Sequence, residues 1–297
     1  MLQILMGAIS LGLLWSIVTI GVYITYRILT IADLTVEGSI VMGAAIASFG
    51  IIKGINPYAA IGLAFIGGLA AGLVTGLLHT KLKVPSLLSG ILTMIALYSV
   101  NLRIMGKANI SLLRMNTAYS VFENMGLSHN SAVIILGLIF VSSIIGILYW
   151  FFGTEIGCAI RATGDNPQMV RAQGINTNTT IILGLMISNG LVAIGGALIA
   201  QSQSFADVQM GIGSIVIGLA SVIIGEVLFG KRNFFTRLLS LVLGAITYRI
   251  IIALVLKLGM PANDLKLFTA ITVTLALALP VFSSFLNSLK KSIKRGE

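Results

Sequence analysis

Residues 155–176 read EIGCAIRATGDNPQMVRAQGIN, a polar, amphipathic insert set between two apolar runs that are each long enough to cross a bilayer. That contrast decides the fold class. A tether between two spans needs only a few polar residues, whereas this insert carries its own helix signals and reads as a docking surface for a soluble partner. Asp165-Asn166-Pro167 marks a helix start, because Asp and Asn side chains accept from free backbone amides and proline loses nothing at the first helical position. Gly174 marks the stop. The intervening QMVRAQ makes about two turns, which places Met169, Val170 and Ala172 where a partner groove could cover them and Arg171 within reach of a carboxylate. A second helical piece, EIGCAIRA, precedes it.

Outward from the insert the chain is apolar. Of its 297 residues 57% are hydrophobic and 9% charged, and the mean hydropathy is +1.04. Soluble domains carry about a quarter charged residues, so this composition means an all-α, polytopic transmembrane helical bundle embedded in a lipid bilayer. With roughly 20 residues per span, the length allows eight to ten. Apolar runs predict about nine, near 3–26, 38–52, 59–80, 86–102, 131–152, 178–200, 213–229, 237–257 and 265–285. Residues 1–297 then form one membrane domain, with a polar loop at 153–177 and a basic tail at 286–297. Any soluble chemistry has to come from another chain.

The formal charge of +10 does not indicate nucleic acid, since the Lys and Arg residues are spread through short loops instead of forming one face. Placing the 153–177 loop in the cytoplasm puts the N-terminus outside and the C-terminus inside. Twelve of the 19 basic residues then fall on the inner side, as the positive-inside rule requires. The first apolar run lacks a basic n-region and a small-residue cleavage site, so it reads as a retained helix. Cys158 is the single cysteine, and His79 and His129 stand far apart, which argues against a metal site, a disulfide or a cofactor.

Glycine is abundant but patterned. Gly68, Gly72 and Gly76 repeat at the spacing of one helix face, and small residues at this spacing let helices approach closely where lipid supplies no hydrophobic drive. Gly225 to Lys231 spells G-x-x-x-x-G-K, yet Arg232 stands where a Ser or Thr must hold magnesium, so it is a decoy. Glu226 there is expected to pair with Lys231 or Arg232.

Ionisable groups at membrane depth are functional candidates because unpaired charge is costly in lipid. Asp33, Glu37, Glu226 and Arg249 qualify. Asp33 and Glu37 also fit the cap and first-turn acid of the next helix. Thr93, Tyr98, Asn101, Ser188 and Asn189 are the further polar candidates for a solute pathway, although such residues more often hydrogen-bond between helices than touch a solute. Gln201, Gln203 and Asp207 sit in a loop on the far side, where a binding protein could meet them. No acid, base and nucleophile set argues for catalysis. On these residues alone, an ion-coupled secondary transporter or channel using Asp33, Glu37 or Glu226 stays open.

The pattern E-x-G-x-A-x-R-A-x-G-D-N-P-x-x-x-R-x-x-G-I-N resembles the coupling loop of bacterial ABC import permeases of the branched-chain amino acid and ribose type. Residues 33–39, DLTVEGS, resemble the D-L-S/T-V-x-G-S segment of the sugar branch, and the run Gly213 to Gly230 resembles that family's glycine-rich helix. Residues 78–106, LHTKLKVPSLLSGILTMIALYSVNLRIMG, are closest to a subgroup of which some members are linked with aromatic amino acid uptake. The resemblance implies a non-catalytic permease subunit in the inner membrane, working as a pair of permease copies with two ABC ATPase subunits and an extracytoplasmic substrate-binding lipoprotein. It also implies that Glu155, Arg161, Gly164, Asp165, Asn166, Pro167, Met169, Arg171 and Gly174 form the surface that meets the ATPase.

Overall fold

The computed structural model describes residues 2–230 and 232–258, with four further positions at 267, 270, 271 and 274. In chain order the elements are α1 (Leu2–Tyr23), which continues as a π-helical turn (Ile24–Ile28), then α2 (Thr35–Ile52), α3 (Pro57–Thr80) and α4 (Ser86–Met105). A short strand β1 (Asn109–Ser111) and helix α5 (Ser120–Asn124) lead to α6 (His129–Phe151), α7 (Glu155–Asp165), α8 (Pro167–Ala172) and α9 (Thr177–Gln203). The chain goes on through β2 (Phe205–Asp207), α10 (Ser214–Phe229) and α11 (Phe234–Lys257).

Seven of the described helices are long and apolar enough to cross a membrane, and α10 is a shorter apolar helix. Eight of the nine predicted spans therefore coincide with a helix. The ninth, 265–285, and the basic tail lie outside the described residues.

The bundle is built around α9, which packs on α1, α2 and α3. The close approach of α3 follows from its glycines. A Cβ on Gly68 would overlap the carbonyl oxygen of Asn189, and one on Gly72 would overlap the Leu185 carbonyl. Gly76 continues the same face against Ile182. The seam is thus a packing of α3 on α9 within one chain. The opposite flank is formed by α10 and α11, which close against α1.

Two of the helices start inside the bundle. Thr163 Oγ1 and Thr180 Oγ1 lie 2.8 Å apart where α7 meets α9, and Asp33 contacts Asn189, nine residues or roughly 14 Å further along α9. Residues 29–34 therefore run inward as non-helical backbone before α2 begins. Such backbone is tolerated at depth where protein surrounds it. Likewise α10 has 16 residues, about 24 Å of helix, and the Gly213 amide at its start meets Glu37 in the first turn of α2.

At the end of the bundle far from α7 and α8, β1 pairs antiparallel with β2, Asn109 opposite Asp207. This loop carries one short helix, α5, and Tyr119 just before it is fully buried, donating to the Leu198 carbonyl at 3.0 Å. Burial pushes the Tyr119 hydroxyl well above its ordinary range.

Candidate functional site

The 155–176 insert folds as two capped helices. Thr154 Oγ1 accepts from the Gly157 amide at 3.3 Å to start α7. Asn166 Oδ1 accepts from the Met169 amide at 3.1 Å, with Pro167 in the first turn of α8. Gly174 closes the elbow at φ +81°, a left-handed conformation that side chains resist. Asn176 then accepts from the Asn178 amide and opens α9.

The elbow is seated on the bundle at defined points. Gly164 presses on the carbonyl oxygen of Ile28, where a Cβ would overlap, and Thr30 Oγ1 lies 3.3 Å from the Gly164 carbonyl. Arg171 Nε donates to Thr177 Oγ1 at 2.7 Å, and Arg161 stacks on the Phe234 ring with 5.4 Å to its centroid. Ile160 and Val170 are wholly buried under the elbow. Val170 therefore turns toward the protein and is unavailable to a partner, which corrects the sequence reading. Glu155, Asp165, Asn166, Pro167, Gln168 and Met169 stay exposed. Asp165 to Met169 form a continuous exposed tip in which Met169 is the large apolar side chain, and Ile156 and Ile175 are exposed elsewhere on the elbow.

Beside this seat lies an ion pair the sequence did not reveal. Glu226 pairs with Arg27, 199 residues away, and among the described residues not with Arg232; Lys231 lies outside them. The reason is geometry: Glu226 is on a buried face of α10, and the end of α1 passes there. Arg237 adds to this corner, donating to the Tyr23 hydroxyl at 3.4 Å. Arg249 stacks over the Trp15 ring, 4.5 Å from its centroid, and thereby has a structural contact at depth.

The seven polar pathway candidates divide into two groups. Asp33, Ser188, Asn189 and Thr93 are buried and bonded within the protein. Asn189 Nδ2 donates to Asp33 Oδ2 at 2.8 Å and its Oδ1 accepts from Ser39 at 2.7 Å. Asp33 Oδ1 accepts from the Thr35 amide, so this residue does serve the start of α2. Ser188 donates to the Gly21 carbonyl and Thr93 to its own helix at Ser89. The other group, Glu37, Tyr98 and Asn101, meets at one open cavity of about 320 Å³, also lined by Val41, Met94, Ile95, Ser99, Val208, Gly211 and Ile212. Met94 was missed in the sequence because an apolar residue carries no signal by itself, although it stands one turn before Tyr98.

Among the far-side residues, Gln201 is fully buried and its Oε1 accepts from the Ala118 amide at 2.9 Å. It holds the loop in place and does not face a partner. Asp207 accepts from Asn109 in the exposed ladder.

The family model described as "Branched-chain amino acid transport system / permease component" matches residues 4–279. The chain belongs to this family. It is 44% identical over 275 residues, 92% of its length and 90% of the relative's, to a tyrosine transport system permease protein of Clostridioides difficile. An uncharacterized protein of Rickettsia prowazekii is 34% identical over 286 residues, 93% of this chain and 98% of that one. In fold, the permease is similar to an inward-facing structure of a transporter assigned to the metal-chelate ABC type, with a TM-score of 0.51 at 12% identity over 95% of this chain and 85% of that one. It is the non-catalytic, multi-pass membrane subunit of an ABC transporter, and ATP hydrolysis belongs to a separate subunit.

Proposed function

We propose that this permease imports a small solute, an amino acid, with aromatic cargo the best fit, across the inner membrane. A separate extracytoplasmic lipoprotein delivers the solute, and two ATPase copies drive a pair of permease copies. The tyrosine transport permease of Clostridioides difficile, matched along nearly the whole chain, supports the choice of cargo. The observation that carries the reading is the elbow: two capped helices with an exposed tip from Asp165 to Met169, rigidly keyed to α1 and α9 through Gly164 and Thr163.

In this reading residues 153–177 are the coupling loop in the cytoplasm, the N-terminus is outside and the C-terminal tail is inside, with about nine spans. The tip, Asp165, Asn166, Pro167 and Met169, enters a groove of the ATPase, with Glu155, Arg161 and Arg171 at its rim. Closure of the ATPase pair moves the elbow as a unit. Gly164 transmits the push to the end of α1, and Thr163 transmits it to α9.

The test is copurification from native membranes followed by uptake in reconstituted vesicles. Recovery of an ATPase and a lipoprotein, with uptake of labelled L-tyrosine that stops without ATP, is the expected result. Uptake that follows a proton or sodium gradient and ignores ATP would overturn it in favour of a secondary transporter.

A further inference from the structure

We propose that the cavity between α2, α4 and the entry to α10 is a recognition site for the ammonium group of the transported amino acid. Glu37 and Asn101 would take the ammonium, and Tyr98 would lie against the apolar body. The inference rests on the amino acid reading above and adds to it. The permease itself, and not only a delivering receptor, would select the cargo by its amine.

The argument begins with the hydrogen-bonding sense of the walls. Glu37 Oε1 accepts from the Gly213 amide at 2.9 Å, which fixes the side chain and leaves its second carboxylate oxygen without a partner in the described residues. Among those residues the ion pairs are Arg27 with Glu226 and His129 with Glu123, so Glu37 has no cationic partner. A carboxylate at membrane depth calls for one. No Lys or Arg occurs among the described lining residues.

Asn101 supplies the second, independent sign. It is 1% exposed and borders the cavity, and its Nδ2 donates to the Gly38 carbonyl at 3.1 Å. Because a carbonyl can only accept, the amide orientation is fixed with Nδ2 toward Gly38. Its Oδ1 is then a buried acceptor with no donor. Orphaned acceptors of this kind are rare and need an explanation. Two polar side chains at one cavity thus each keep one oxygen without a donor among the described residues, and an ammonium group is a cation with three donors.

The remaining wall defines the rest of the ligand. Tyr98 is 51% exposed at the cavity, with Met94 and Ile95 beside it and Val208 and Ile212 across from it. This apolar lining suits a hydrophobic or aromatic side chain. The cavity volume of about 320 Å³ admits a solute of amino acid size.

The test uses the purified full-length permease in lipid nanodiscs, with thermal unfolding measured in millimolar L-tyrosine, tyramine or 3-(4-hydroxyphenyl)propanoate. The first two carry the ammonium group and the third does not. L-Tyrosine and tyramine should raise the unfolding midpoint by about 2 °C or more, and the propanoate should leave it unchanged. Glu37→Gln keeps an acceptor for the Gly213 amide and so should stay folded while losing the shift. Asn101→Leu should lose it too, and where that variant does not fold, Glu37→Gln decides. An equal shift with the propanoate, an undiminished shift in Glu37→Gln, or no shift with either amine would overturn the site. Tyrosine uptake by the complete transporter alongside any of these results leaves the import reading standing. Absence of ATP-driven uptake overturns that reading whatever the shifts.

Discussion

Asn189, midway along α9, donates through Nδ2 to Asp33 Oδ2 at 2.8 Å while its Oδ1 accepts from Ser39 at 2.7 Å. One side chain thereby ties the inward-running segment 29–34 and the second turn of α2 to the central helix. All three residues are almost wholly buried. In a low-dielectric interior each of these bonds is strong, and each unmade one is correspondingly costly.

Asn189→Leu removes both bonds at once and strands Asp33 and Ser39. Leaving a buried polar group unsatisfied costs about 1–3 kcal/mol, more for a charged one, so the variant should lose roughly 3 kcal/mol or more. Ser39→Ala, which strands only one oxygen, should cost about 1 kcal/mol. Thermal unfolding in detergent ranks the two. Equal midpoints for both variants and the parent protein would remove the network from the account.

The α3–α9 seam makes a sharper contrast between two glycines of one helix. At Gly72 a Cβ would overlap the Leu185 carbonyl, whereas at Gly62 there is open space. Gly72→Ala should force the helices apart and cost about 2 kcal/mol or more. Gly62→Ala should be neutral or slightly stabilising, since alanine is the better helix former. Monodisperse yield and unfolding midpoint measure both. Indifference at Gly72 would mean the seam is looser than described.

The Arg27–Glu226 pair joins α1 to α10 with Glu226 6% exposed and Arg27 41% exposed. Removing one partner of a buried pair is strongly destabilising, but exposure of the arginine moderates it. Arg27→Met should cost about 2 kcal/mol, and adding Glu226→Gln should restore part of the loss. A double-mutant cycle with no coupling would show the pair to be incidental.

Pro167→Ala with Gly174→Ala should loosen the elbow without unseating it. Alanine at the left-handed Gly174 costs about 1–2 kcal/mol locally, and the buried Ile160 and Val170 keep the two helices attached. In the proposed importer, basal ATP hydrolysis should persist while uptake falls about tenfold. Normal uptake with normal ATPase stimulation would count against force transmission through this loop.

Much of this was legible in the sequence. Eight apolar runs became eight helices because backbone in an apolar setting must satisfy its own hydrogen bonds, which a helix does within one segment. The Asn166-Pro167 start and the Gly174 stop are local signals, set by side chains within a few residues, and both occupy those positions in the structure. What depended on distant neighbours was not legible. Glu226 found the distant Arg27, Val170 turned inward, and Gln201 was consumed by a loop amide. The polar candidates could be named as a set, but which of them face a cavity and which bond within the bundle follows from helix rotation. The repeat of Gly68, Gly72 and Gly76 announced a close crossing without saying which helix would cross there.

The most direct measurement uses the one cysteine of the chain. Cys158 is exposed on α7, within the elbow, so the unaltered protein carries its own reporter. A membrane-impermeant maleimide applied to intact cells and to inside-out vesicles reads which side the elbow occupies, and adding the purified ATPase partner reads whether it is covered. Labelling only in the inside-out vesicles, slowed several-fold by the ATPase, is the expected result. Labelling from the outside of intact cells, or an unchanged rate with the ATPase bound, would contradict a coupling loop at residues 153–177.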